Sequence, residues 1–162
     1  RIRKWRRTGI IWWNVLDCWP QFSDAVVDYY FGKKLAYWYI RRSQLPVLLA
    51  IDEPESWHCG VVACNDTSGG ASGTFEVTDA DSGESLLAGD LAVEANSCRH
   101  LGKIRVSHGE HRLFLVRWEI EGRRYGNHYC LGKPPFDLQW YLGHLARVAA
   151  LEPGFDADAV GR

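Results

Sequence analysis

From Val47 onward apolar and polar residues alternate with a period of two, in short runs separated by turn chemistry. Val47–Ile51 begins a strand, and Asp52-Glu53-Pro54-Glu55 breaks it. Trp57–Cys64 reads as a second strand, closed by Asn65-Asp66-Thr67-Ser68-Gly69-Gly70. Thr74–Asp79 follows with Phe75 and Val77 on one face, and Asp79-Ala80-Asp81-Ser82-Gly83 is a hairpin signal. Ser85–Val93 and Ser97–Val106 continue the series to a turn at His108-Gly109-Glu110. His111–Ile120 alternates most cleanly, with Phe114, Val116, Trp118 and Ile120 inward and no face assigned to Leu113 and Leu115. Glu121-Gly122 then makes a two-residue turn into Arg123–Cys130. About seven strands over roughly 85 residues, with turns every 8–12, predict an immunoglobulin-like β-sandwich.

Before Pro46 the pattern differs. Gly9-Ile10-Ile11-Trp12-Trp13 is a short apolar run that predicts one buried strand, leading into Asn14-Val15-Leu16-Asp17-Cys18-Trp19-Pro20. An ordered loop with a turn at Gly32 follows, then a helical stripe of Leu35, Trp38 and Tyr39 between Lys33 and Ser43, ended by Pro46. A strand, a loop and a helix that packs back on it make the last β/α unit of a barrel. At the C-terminal edge of such a strand the loops of an α/β barrel converge into ligand sites. Three indoles within eight residues exceed what one strand needs for packing, and an indole face suits the C–H face of a sugar ring. Trp12 and Trp19, each taken alone, are also consistent with core filling. The expected organisation is therefore residues 1–45 as a barrel remnant, 46–133 as the sandwich, and 134–162 as a helix and tail. Asp137 is positioned to N-cap that helix, which carries Leu138, Tyr141, Leu142, Leu145, Val148 and Ala149, and Phe155 to Arg162 reads as a frayed tail.

Hydrophobic residues at 46% with 24% charged describe a globular chain, and 13% aromatics, including eight Trp, suit a sugar-binding protein or a β-rich core. A net charge of −1 offers no global field for nucleic acid or an anionic membrane. No apolar run approaches the ~20 residues that span a bilayer, and no signal peptide is recognisable. The absence of Met, with five basic residues among Arg1–Arg7 that suit the C-terminus of a helix, suggests a piece of a longer protein. Five widely spaced cysteines without a C-x-x-C pair argue against a zinc site or a disulfide scaffold and favour buried free thiols in a reducing, cytoplasmic setting. Neither a metal nor a cofactor is called for.

Two blocks resemble family 2 glycoside hydrolases of the β-mannosidase-like branch. The first is Trp13-Asn14-Val15-Leu16-Asp17-Cys18-Trp19-Pro20, continued by Val27-Asp28-Tyr29-Tyr30, Gly32, Lys34, Ala36-Tyr37, Arg41-Arg42 and Pro46-Val47. The second runs from Asn127-His128-Tyr129 through Gly132-Lys133-Pro134-Pro135-Phe136. Leu16 stands where that family usually has Asn, and Leu35 where it often has Pro. The resemblance implies the C-terminal part of a retaining exo-β-glycosidase of carbohydrate catabolism: the end of a (β/α)8 barrel, an immunoglobulin-like domain and a final helix. Retaining hydrolysis needs two carboxyl groups about 5 Å apart. In the family these are glutamates on earlier barrel strands, and before Asp52 this chain has only Asp17, Asp24 and Asp28.

By the same resemblance Trp13 floors the subsite of the cleaved sugar. Asp17 either accepts a sugar hydroxyl or caps its own loop, and Asp28 and Lys34 form a structural pair. No residue here is assigned as catalytic, and the chain alone is expected to be inactive. The implied partners are a β-linked saccharide and the preceding catalytic-domain segments. The exposed barrel stump is expected to promote self-association. Two alternatives are a non-catalytic carbohydrate-binding or interaction sandwich, which needs an exposed aromatic strip on its face, and a different specificity such as an exo-β-glucosaminidase or β-galactosidase.

Overall fold

The computed structural model describes residues 1–6, 9–153 and 155. Among these residues there are seven strands: β1 (Val47–Ile51), β2 (His58–Asn65), β3 (Ala71–Asp79), β4 (Ser85–Val93), β5 (Ser97–Arg105), β6 (Arg112–Ile120) and β7 (Arg123–Leu131). Helix α1 (Leu35–Ser43) precedes them and α2 (Leu138–Ala149) follows. The strands form two antiparallel sheets, ordered β1-β2-β5 and β4-β3-β6-β7. Alternate residues of both sheets meet in one core that includes Leu49, Val61, Phe75, Val77, Leu91, Phe114, Val116 and Trp118. Glu121 and Gly122 both take positive φ, 51° and 74°, as a two-residue turn between twisted strands requires.

Leu113 and Leu115, left without a face by alternation, are buried as well. They lie on the outer side of β6 beneath a second cluster made by Trp38 of α1, Leu145, Val148 and Ala149 of α2, and Phe155. A strand covered on both faces reads as a continuous apolar run, which is why Leu113–Val116 shows no polar side. Gly126 of β7 permits the close approach: a Cβ there would lie 2.7 Å from the Leu151 side chain.

Asp137 caps α2 as expected, its Oδ1 accepting from the Gln139 and Trp140 amides at 2.8 and 3.1 Å. The predicted stripe is only half used, since Leu138 and Leu142 are exposed. Phe155 is not frayed: it is buried and stacked on Trp38 at 5.3 Å. The rest of that predicted tail lies outside the described residues.

Arg42 of α1 joins the outer layer together. It is 1% exposed, and its Nη2 donates to the Val148 carbonyl at 2.8 Å while Nη1 lies 3.1 Å from Nδ1 of His128 on β7. Glu152 pairs with both Arg41 (3.1 Å) and Arg42 (3.3 Å). A guanidinium can only donate, so the His128 Nδ1 is the acceptor and its proton sits on Nε2. Burial, then the Arg42 charge, push His128 down to about 4.

Two further expectations change. Gly9–Trp13 forms no strand, and Ile10, Ile11 and Trp13 are exposed. A parallel strand is held by hydrogen bonds to neighbours on either side, and the described residues place no strand beside it. Residues 2–6 form turns rather than the end of a helix. Arg1 instead donates to the carbonyls of Ser43, Leu45 and Pro46, and Arg1 and Lys4 both pair with Asp66. All five cysteines are free, with Cys59 and Cys64 buried and Cys18 exposed.

Candidate functional site: the indole-rich N-terminal loop

The segment from Asn14 to Lys34 is irregular yet closely tied. Val27 sits between two partners, in a parallel bridge with Leu16 and an antiparallel one with Lys33. The Val27 amide donates to the Val15 carbonyl at 2.9 Å, the Asp17 amide to the Val27 carbonyl at 3.1 Å, and the Lys34 amide to the Val26 carbonyl at 3.0 Å. Asp28 closes the next turn on itself, its Oδ1 accepting from the Tyr30 and Gly32 amides at 2.9 and 2.7 Å. Asp28 therefore does not pair with Lys34 as expected, because its own loop amides occupy it.

Lys34 goes to Asp17 instead. Its Nζ lies 3.0 Å from Asp17 Oδ2 and donates to the Ser23 carbonyl at 3.2 Å. Asp17 Oδ1 accepts from Gln21 Nε2 at 3.2 Å and from the Ser23 hydroxyl. The Ser23 hydroxyl acts first, against burial and with help from Lys34 and Gln21, to hold the Asp17 carboxyl below its usual range. With 2% of its surface exposed, Asp17 is enclosed by its own loop, and its acceptor sites are largely taken. It fixes the loop geometry.

Trp13 behaves in the opposite way. It is 79% exposed, beside an exposed Ile11, Val15 and Trp19, and the peptide bond to Asn14 is cis. Phe22, Tyr30 and Phe31 extend this apolar surface. A shallow hollow of about 540 Å³ opens between Leu16, Asp17 and Cys18 on one side and Tyr29, Tyr30 and Phe31 on the other. Asp17 lines that hollow and Trp13 does not, so the two predicted site residues share a loop but not a cavity. Among the described residues no group of three or more His, Cys, Asp or Glu is arranged to hold a metal, and no helix is long and apolar enough to cross a membrane.

The chain matches no known family model. It is 37% identical over 62 residues to Beta-mannosidase B of Thermothelomyces thermophilus, covering 35% of this chain and 7% of that protein. It is also 37% identical over 57 residues to Beta-mannosidase B of Aspergillus niger, covering 30% of this chain and again 7% of the relative. The crystal structure of a β-D-mannosidase from Dictyoglomus thermophilum superposes with a TM-score of 0.58 and 25% identity, over 72% of this chain and 15% of that enzyme. Over these stretches the chain is similar to β-mannosidases in sequence and in fold. It spans a small part of the length of these relatives. The mainly β fold, antiparallel sheets followed by a C-terminal helix, thus matches that β-mannosidase in part.

Sequence reasoning missed two features of this region. The Asp17–Lys34 ion pair joins residues seventeen apart in sequence, which no local spacing rule connects. The Arg42–His128 contact spans 86 residues, although both positions lie in the two blocks that carry the family resemblance.

Proposed function

We propose that this chain is part of a retaining exo-β-glycosidase of the β-mannosidase type, acting in carbohydrate catabolism, with both catalytic glutamates supplied by segments outside it. In this reading residues 1–45 belong to the catalytic barrel, 46–133 form the supporting sandwich, and 134–162 brace it. The observation that carries the proposal is the exposure of Trp13 within a β-mannosidase-like sequence: a large indole is held out from the fold by a loop whose only buried carboxylate is already spoken for. Trp13 would stack on the C–H face of the cleaved sugar and position it, which lowers the barrier without bond-making. Asp17 would act through the loop, keeping Trp13 in register. Two carboxyl groups about 5 Å apart are required for retention, and the Asp17, Asp24 and Asp28 of this region do not supply a free pair, since Asp17 and Asp28 are engaged by their own loops. The natural partners would be a β-linked saccharide and the remaining catalytic-domain segments, in a reducing compartment that suits five free thiols.

The test is an exchange. In Thermothelomyces β-mannosidase B, the segment aligned with this chain is replaced by this chain's residues, and hydrolysis of an aryl β-mannoside is followed. The chimera should turn over the substrate and lose at least tenfold in kcat/KM on Trp13→Ala, while the 162-residue chain alone should show no turnover. Hydrolysis by the isolated chain, abolished by Trp13→Ala, would overturn the proposal.

The sandwich-binding alternative needs aromatic side chains on the sheet faces. Phe75, Phe114 and Trp118 are all buried, so these aromatics form no binding strip on the sheet faces; the exposed Trp57 lies at one end of the sandwich.

A further inference from the structure

A second hollow, of about 450 Å³, opens at one end of the sandwich where the β1–β2, β5–β6 and β7–α2 connections meet. Its walls include Glu53, Trp57, His108, Glu110, His111 and Tyr129. Trp57 is 62% exposed, so core packing does not account for it. It is nevertheless held firmly. Trp57 and the preceding Ser56 both sit at positive φ, 66° and 50°, a region that bulky L-residues rarely occupy.

The surroundings fix that conformation. The Val106 amide donates to the Trp57 carbonyl at 2.9 Å, Glu55 and His58 exchange backbone hydrogen bonds at 2.9 and 3.1 Å, and His58 Nδ1 donates to the Ser56 carbonyl at 2.9 Å. The His108 ring stands nearly perpendicular to the indole, at 77° with centroids 6.4 Å apart, so the two rings make a corner.

The polar lining narrows the ligand class. The Ser107 amide, against burial and aided by the Ser107 hydroxyl and Arg112, holds the Glu110 carboxyl below its usual range. Burial, then the charge of Glu53, push the Tyr129 phenol up, so it enters as a neutral hydroxyl. Two carboxylates against the single Lys133 disfavour an anionic ligand. A cavity of this size, with one apolar aromatic wall and a few convergent hydrogen-bonding groups, suits a small polar ligand that has an apolar face. A neutral pyranose is such a ligand, with C–H groups on one face and hydroxyls around its edge.

We propose that this corner binds a saccharide, one or two rings of a β-linked hexose chain, with Trp57 stacked on the C–H face and Glu53, His108 and Tyr129 bonding its hydroxyls. The inference stands on residues unconnected with the Trp13 loop and does not need that loop's proposed role.

The test is a titration of the 162-residue chain with β-1,4-mannopentaose, and in parallel cellopentaose, followed by amide NMR shifts. Saturable shifts confined to residues 53–57, 106–111 and 129–133 are expected for at least one of the two. Trp57→Ala should weaken binding by about tenfold or more, and Trp57→Phe should recover most of it, with an unchanged melting temperature in both. Absence of shifts at millimolar saccharide, shifts only around Trp13, or full affinity in Trp57→Ala would each overturn the proposal. Failure here would leave the chimera result untouched, and failure of the chimera would leave this titration untouched.

Discussion

Trp118 and Trp13 are the same residue placed in opposite circumstances. Trp118 sits in the middle of β6, is 3% exposed, and stacks on Tyr125 with the ring planes 16° apart. Trp13 sits on a loop whose backbone is well tied and whose side chain meets almost nothing. Apolar character is equal in the two places, so it cannot be what separates them. The difference is made by partners: β6 has a strand on each side and a layer over each face, whereas the run Gly9–Trp13 has no strand beside it among the described residues. Indole content by itself therefore says little about burial, and the surrounding hydrogen-bonded framework says a great deal.

The contrast is most sharply broken by truncation. Phe114→Ala, in the β6 core, should cost roughly 3–5 kcal/mol in urea unfolding because it leaves a cavity between fully packed sheets. A loss under about 1 kcal/mol there would mean that the two sheets are not closed on each other. Arg42→Ala should cost about 3 kcal/mol, since it leaves Glu152, the Val148 carbonyl and His128 without their shared partner. Its signature is early loss of amide protection in both α1 and α2, followed by hydrogen exchange.

Acid should discriminate next. His128 has a folded value of about 4, below the ordinary 6.5, so the unfolded chain binds the extra proton between those values. Its contribution to stability is complete above pH 6.5 and is lost as pH falls toward 4, with a slope of up to about 1.4 kcal/mol per pH unit. His128→Gln should flatten that part of the profile, and an unchanged slope in the variant would show that carboxylates alone produce it. The smallest effect belongs to the loop: Trp13→Ala should shift unfolding by less than about 0.5 kcal/mol. The same substitution should remove one of the indoles most readily quenched by acrylamide. A large destabilisation would mean that Trp13 is packed in solution, by self-association of the exposed apolar surface or otherwise.

The sandwich was readable from the chain because its determinants are local. Period-two alternation and turn chemistry placed Ser85–Val93 at its observed limits and the other strands within a few residues of theirs. Glu121-Gly122 and Asp137 announced a turn and a cap through short-range backbone rules. What could not be read depends on residues far apart in sequence. Leu113 and Leu115 needed α2 to explain their burial, Phe155 needed Trp38, and Lys34 chose Asp17 over the nearer Asp28. The strand at Gly9–Trp13 failed for the same reason, since strand formation is a property of a pair. Of the candidate site, the indoles and Asp17 were visible as residue types, but their opposite exposures were not.

The Arg42 guanidinium has one more consequence. It touches α1, β7 and the C-terminal end of α2 at once, so the helix before the sandwich and the helix after it are fastened to each other as well as to the sheet. Trimming the chain from either side, for crystallisation or for grafting, would then loosen the opposite side as well. A cut placed at the Pro46 break in pattern would sever a helix that the rest of the molecule is holding.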